Sequence, residues 1–433
     1  MPLRLTHGVC GLSAALLLSG CMANDQPATK QSFSPTATPQ SGALDPQPEV
    51  ESILIADLQA RQSILPTGGA YEQVAASVIE ASKGASVAEL RVSRLKAQAK
   101  AKNWLPQIGP SVNLTSLAGL ATSLLLDQAL FDNGRRKAER AYAAADVEIA
   151  AVTLSTELNQ RVYDGLSHYV LAEKARAQIA VAERAVAKLT EFDAIITERL
   201  AGGLSDRSEQ QVIRQHLTEM QATLAGDRQA VTSAVAELAA MAVSPMDGLH
   251  GLDNLPPDTR APEPLTVLRA RGEGRLAVAE ANIERAEMLP GLRASAGIGL
   301  GGIEPGLRLG GGFLNAGMRD SMDALAGTGE VAGRRTAQAS EDARRRIVTL
   351  ERQIATLNSR EVEGRAVLRQ TAENLDLFSQ QYKVGRRTLL ELVNQYDAFA
   401  RLDRDLTGLR YEAALLRLEI ARDRGQLVDG ARM

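Results

Sequence analysis

The sequence predicts a mainly α fold with a small β part: long antiparallel helices and four short strands, laid out as two copies of one repeat. Three observations carry this. No proline occurs between Pro110 and Pro245, and none after Pro305; such spans outrun the ordinary globular helix. Aromatic residues are 3% of the 433, while Ala, Leu, Arg, Glu and Gln dominate, a composition of long helices and coiled coils rather than of a compact enzyme core. Finally, the marks that break helices recur in one order at a nearly constant offset.

The marks define the repeat. Trp104-Leu105-Pro106 ends a helical stretch that begins near Tyr71, and Met288-Leu289-Pro290 ends one that begins near Thr266, an offset of 184 (289 − 105). Glycine tips follow at Gly203, in ERLAGGLSDRSEQQV, and at Gly385, in QQYKVGRRTLLELV, an offset of 182 (385 − 203). An acid stands six residues past each glycine, Glu209 and Glu391. Thr388-x-x-Glu391 has the form of a capping box and Asp206-x-x-Glu209 echoes it. Each tip therefore ends one helix in the left-handed conformation open to glycine and starts another at once. Between these marks Gly-Arg-Arg occurs at 134–136 and at 333–335, an offset of 199, so this alignment leaves fifteen surplus residues (199 − 184) between Pro290 and Gly333.

The predicted order of each repeat is helix, Leu-Pro, a short Gly/Ser/Leu segment, Gly-Arg-Arg, a long helix, a tip and another helix. The first repeat spans 52–245, with a strand hairpin at 107–130 and its tip at 201–206. A linker at 246–265 leads to the second repeat, 266–433, with a hairpin at 291–314 and a tip at 383–388. A helix from Gly134 to Gly203 would run about 100 Å at ~1.5 Å per residue and needs lateral partners. Ile347, Leu350, Ile354 and Leu357 supply an a/d seam, and the jump of eleven to Leu368 is a stutter that locally unwinds a supercoil.

The segments after Leu-Pro are what a plain coiled-coil rod would not need. IGPSVNLTSL and LATSLLLDQAL flank Gly119; GLRASAGIGLGG and GLRLGGGFLN flank Ile303-Glu304-Pro305-Gly306, which reads as a turn. About nine to eleven residues is the length of a tilted transmembrane β-strand, and glycine-rich alternation suits a barrel wall.

The N-terminus reads as a targeting segment. Arg4 and His7 precede the apolar run Val9 to Leu18, too short to span a bilayer as a helix but suited to a secretory signal. The run ends Leu18-Ser19-Gly20-Cys21, which resembles the bacterial lipobox and predicts residues 1–20 as a lipoprotein signal peptide with lipid on Cys21. Residue 22 is Met rather than the Asp that resembles an inner-membrane retention signal, so outer-membrane sorting is expected. From 21 to 51 the chain is rich in Pro, Gln, Thr and Ser and reads as an extended tether.

Composition also excludes. With 49 basic and 52 acidic side chains there is no electrostatic case for nucleic acid. Cys10 lies inside the signal, so the two cysteines are no disulfide framework. His7, His168, His216 and His250 are scattered, with no HExxH, no CxxC and no phosphate-cradling loop. No enzyme, cofactor or metal is expected.

Taken together, the Leu18–Cys21 lipobox, both Leu-Pro marks, Phe131-Asp132-Asn133-Gly134-Arg135-Arg136 and Tyr382-x-x-Gly385-x-x-Thr388-x-x-Glu391-Leu392 resemble the outer-membrane efflux (TolC-like) channel family, in its lipoprotein branch, over about residues 60 to 430. The resemblance implies a homotrimer whose chains share a periplasmic α-barrel and an outer-membrane β-barrel, four strands from each. It also implies glycine tips that dock on the periplasmic adaptor of an inner-membrane pump: Gly203 and Leu204 at one, Val384, Gly385 and Arg386 at the other. The family's tips often carry Leu where Arg386 stands. Three-fold symmetry would bring Glu391 and Glu209 near the axis as a periplasmic gate; otherwise each is an exposed capping glutamate. The expected role is a passive exit duct, with small-molecule efflux ahead of type I protein secretion; a helical scaffold lipoprotein without a pore is the competing class.

Overall fold

The computed structural model describes residues 52–432 apart from 83, 117–118, 245, 247, 257–260, 300–301 and 311–316. The signal, the tether and Cys21 lie outside the described residues. In chain order the elements are α1 (Ile53–Gln59), α2 (Ala70–Glu80), α3 (Ser86–Ala101), β1 (Gln107–Ser116), β2 (Gly119–Phe131), α4 (Arg135–Ala201), α5 (Arg207–Met241), α6 (Leu265–Met288), β3 (Gly291–Gly299), β4 (Gly302–Gly310), α7 (Met318–Lys383) and α8 (Leu389–Asp423). A single 3₁₀ turn, Gly430–Arg432, closes the chain.

The duplication is visible in lengths. α4 and α7 have 67 and 66 residues, and α5 and α8 have 35 each. At ~1.5 Å per residue the long pair run about 100 Å. Such helices persist only by packing, and α4 is the one the others pack on: it buries residues from Ala138 to Ile196 against α2, α3, α5, α6 and α8. Three buried clusters follow its length. Leu54, Leu58, Leu90, Val152 and Leu268 form the first; Tyr71, Val74, Leu166, Tyr169 and Leu418 the second; Leu189, Phe192, Ile196, Ile213, Leu389 and Val393 the third, beside the tips.

The two ends of the described residues are tied together beside α4. Arg61, after α1, donates to the Arg424 carbonyl at 2.6 Å and to the Glu263 carbonyl at 2.9 Å. The Gly430 amide returns to the Arg61 carbonyl at 2.9 Å, and the Leu427 amide to Asn159 Oδ1 at 2.8 Å. This satisfies groups that burial would otherwise leave unpaired.

The four strands form one antiparallel sheet in the order β1-β2-β3-β4. Three sequence expectations are corrected. First, Ile303–Gly306 is no turn: Glu304, Pro305 and Gly306 pair with Gly297, Ala296 and Ser295 inside β4, and the reversal lies between Gly299 and Gly302. Proline survives there because β4 is an edge strand, as β1 is for Pro110. Second, Gly333 does not open the second long helix. Gly317 caps α7 and Gly333 lies well inside it. Gly317 stands 183 residues after Gly134 (317 − 134), so the fifteen-residue surplus disappears and the offsets of the three marks run 184, 183 and 182. Third, the stretch from Tyr71 to Trp104 is two helices, broken at Ala81–Ala85 beside Gly84.

Candidate docking tips and channel wall

Both tips are built the same way from different residues. At the first, the Gly203 amide bonds the Leu200 carbonyl at 3.0 Å and the Leu204 amide bonds the Arg199 carbonyl at 2.8 Å. At the second, Gly385 bonds Tyr382 at 3.0 Å and Arg386 bonds Gln381 at 2.9 Å. This paired pattern satisfies the last carbonyls of a helix and requires a left-handed residue next to its end; Gly203 has φ +71° and Gly385 φ +72°.

Each restart is capped. Asp206 Oδ1 accepts the Ser208 and Glu209 amides at 2.8 and 2.9 Å. Thr388 Oγ1 accepts the Glu391 amide at 3.2 Å while Glu391 Oε2 accepts the Thr388 amide at 2.9 Å, a full capping box. The Ser208 hydroxyl and the Glu209 amide hold the Asp206 carboxyl below the usual range. The Thr388 amide and then the Arg387 guanidinium do the same for Glu391.

Leu204, Val384, Gly385 and Arg386 are exposed at the extremity, together with Gly203. Leu204 and Val384 expose 73% and 69% of their surface, one apolar side chain at each tip. Glu209 is half-buried against Ser205. Glu391 gives its other oxygen to Arg387 at 2.8 Å, so its carboxylate is already shared between the cap and a cation.

Sequence reading missed the tie between the tips. Arg199, near the end of α4, donates to the Tyr382 hydroxyl at 3.1 Å and lies over its ring at 5.8 Å. Arg387 stacks on Phe378 at 4.5 Å. The only sequence signal was that Arg199 and Tyr382 each lie within one helical turn of a tip glycine, four and three residues before it.

At the opposite end, Asp132 accepts the Gly134 and Arg136 amides at 3.1 and 3.2 Å as α4 begins. Asn133, itself at φ +52°, donates to the Pro290 carbonyl at 2.9 Å. Arg136 and Gln128 both reach the Trp104 carbonyl, at 3.3 and 3.0 Å. The Leu-Pro marks and the Phe-Asp-x-Gly junction thus meet where helices become sheet.

The sheet has two unlike faces. Strand side chains alternate between faces with period two, and the register aligns Ile108 with Leu126, Leu126 with Ala296, Ala296 with Pro305, and Leu292 with Leu309. Ile303, Leu307 and Leu309 continue this apolar face and expose 69%, 71% and 83% of their surface. The other face carries Gln107, Asp127, Arg293, Ser295 and Arg308, with Arg293 and Asp127 paired at 3.2 Å. Apolar outside and polar inside is the dyad pattern of a membrane β-barrel. Among the described residues no helix is long and apolar enough to cross a membrane.

No protein-family model matches the sequence, and no curated protein does either. Solved structures do. The chain is similar to a membrane protein from Pseudomonas aeruginosa, with TM-score 0.73 and 14% identity over 93% of this chain and 98% of that one. It is similar to the outer membrane protein VceC of Vibrio cholerae, with TM-score 0.69 and 15% identity over 82% and 96%. The open-state outer membrane channel MtrE of Neisseria gonorrhoeae gives 0.68 and 15% over 86% and 93%.

Proposed function

We propose that this chain, which has the fold of the TolC-like outer-membrane channels, is the exit duct of a tripartite export system. In this reading three copies close their sheets into one barrel in the outer membrane and their helices into a periplasmic tunnel. An inner-membrane pump and a periplasmic adaptor deliver the substrate, small molecules in preference to secreted polypeptides. Lipid on Cys21 would anchor each chain and accords with the small-molecule branch. The duct itself is passive and carries no catalytic group.

The observation that carries the proposal is the pairing of two features at opposite ends: a sheet with one apolar and one polar face, and two matched tips that expose apolar side chains. Leu204 would give the first tip an apolar contact. Arg386 at the second calls for an acidic or carbonyl partner on the adaptor, which makes the two tips unequal and narrows the choice of adaptor. The half-buried Glu209 and the cap-bound Glu391 are then chiefly helix starters; as a gate group Glu391 would act through whatever charge Arg387 leaves uncompensated, and Glu209 through its own.

Arg386→Glu tests the docking half. Export should be abolished while the outer-membrane level and assembly of the chain stay at wild type, and a basic substitution on the adaptor should restore it. Normal export by Arg386→Glu, with no crosslink from cysteines at 204 and 386 to any adaptor, would leave the tips as mere turns.

A further inference from the structure

We propose that Arg293 and Arg308 form an anion-attracting band on the inner wall of the closed barrel, so that this level of the duct favours anionic solutes. The inference rests on the channel reading above. β3 and β4 set the two arginines directly opposite each other on the polar face. Opposed residues in an antiparallel pair have Cβ atoms about 4.5–5.5 Å apart, where like charges repel. A sheet selected for stability alone has no reason to keep such a pair.

Only part of that charge is compensated. Asp127 on β2 reaches Arg293 at 3.2 Å; among the described residues no carboxylate reaches Arg308. β4 is an edge strand, so in a closed barrel its second neighbour is β1 of the next copy. That segment, QIGPSVNLTS, has no charged residue to offer. Asp127 is likewise the sole charge in β2. Glu304 stands four residues from Arg308 along β4, about 13 Å of strand at ~3.3 Å per residue, and so at another level of the wall.

The strands of each chain therefore place two cations, Arg293 and Arg308, and one anion, Asp127, on the polar face at this level. Arg293 is two residues past the start of β3 and Arg308 two before the end of β4, so the band lies where the sheet meets the helices. Every solute leaving the tunnel for the barrel would pass it. Low-dielectric walls lined by one sign of charge concentrate the opposite ion.

The experiment is reversal potential in planar bilayers under a KCl gradient, with the purified full-length assembly. Arg308→Gln should lower the chloride-to-potassium permeability ratio about fourfold, because a unit charge ~10 Å away in water shifts chloride and potassium about twofold in opposite directions. Arg308→Glu should lower it further and Arg308→Lys should leave it unchanged. Asp127→Asn should move the ratio the other way, which separates a charge effect from a damaged barrel. Unit conductance reports whether each variant still forms the pore. An unchanged ratio in Arg308→Glu pores of wild-type conductance overturns the proposal. Wild-type chain that forms no pore at all overturns the channel reading, and this inference with it.

Discussion

Gly203 and Gly385 do one job that no other residue does cheaply. At φ +71° and +72° a side chain would meet the next carbonyl, at a cost of roughly 1–2 kcal/mol per residue for L-amino acids. Space is not the obstacle, since a Cβ at either position would meet nothing within 4 Å. Gly203→Ala and Gly385→Ala should therefore lower stability by about that amount through backbone strain alone, with Val worse for its branching. Asn, which tolerates the left-handed region, should recover most of the loss. Thermal melts of the four Ala and Asn variants check this; equal melting of Ala and Asn would mean that the tips bend some other way. The tips were legible because glycine, cap and acid follow each other at fixed spacing. The tie from Arg199 to Tyr382 was not, because it joins residues 183 positions apart, and no local signal reports such a contact.

Among the elements, α4 and α7 match in length but not in what marks their starts. Between the Leu-Pro marks and the tips the sequence offers Gly-Arg-Arg twice, and the second copy misleads because it falls inside α7. The physical difference is visible only in the backbone. Gly134 stands at φ +85° and begins α4, whereas Gly333 has no such φ and open space around it. Gly333→Ala should thus stabilise the chain by about 0.5–1 kcal/mol, the helix-propensity gain of Ala over Gly. Gly134→Ala should destabilise it by roughly 1–2 kcal/mol. Opposite shifts in melting temperature are the expected result; a loss at Gly333 would restore it as a junction. β4 shows the same limit. Glu304-Pro305-Gly306 has turn chemistry, yet it sits in a strand, since its place at the sheet edge, which excuses the proline, is a property of topology rather than of local sequence.

For the whole molecule, the decisive fact is how little α7 buries. Of its 66 residues only Ala343, Ile347 and Leu350 are buried, while Val362, Val367 and Leu377 expose 71%, 52% and 53%. A helix about 100 Å long (~1.5 Å per residue) needs lateral partners, and the proposed assembly would supply those that α6 and α8 do not. The expected seam runs on past Ile347 and Leu350, which are buried, to Ile354, Leu357 and Leu368, which the chain's own elements only half bury. Two edge strands, β1 and β4, stand open as well, and exposed edges invite pairing with another chain. Further copies would close both gaps at once, with β4 against the next β1 and the free face of α7 against a neighbouring helix. Single cysteines at Val362 and Val367 are therefore expected to crosslink copies of the chain with short thiol-reactive bis-maleimides, at a yield independent of expression level. The same reagents on Val331→Cys, nearer the sheet, extend the test along α7. Monomers throughout, with the outer-membrane level unchanged, would mean that α7 faces solvent or an unrelated partner, and the shared tunnel would have no wall on that side.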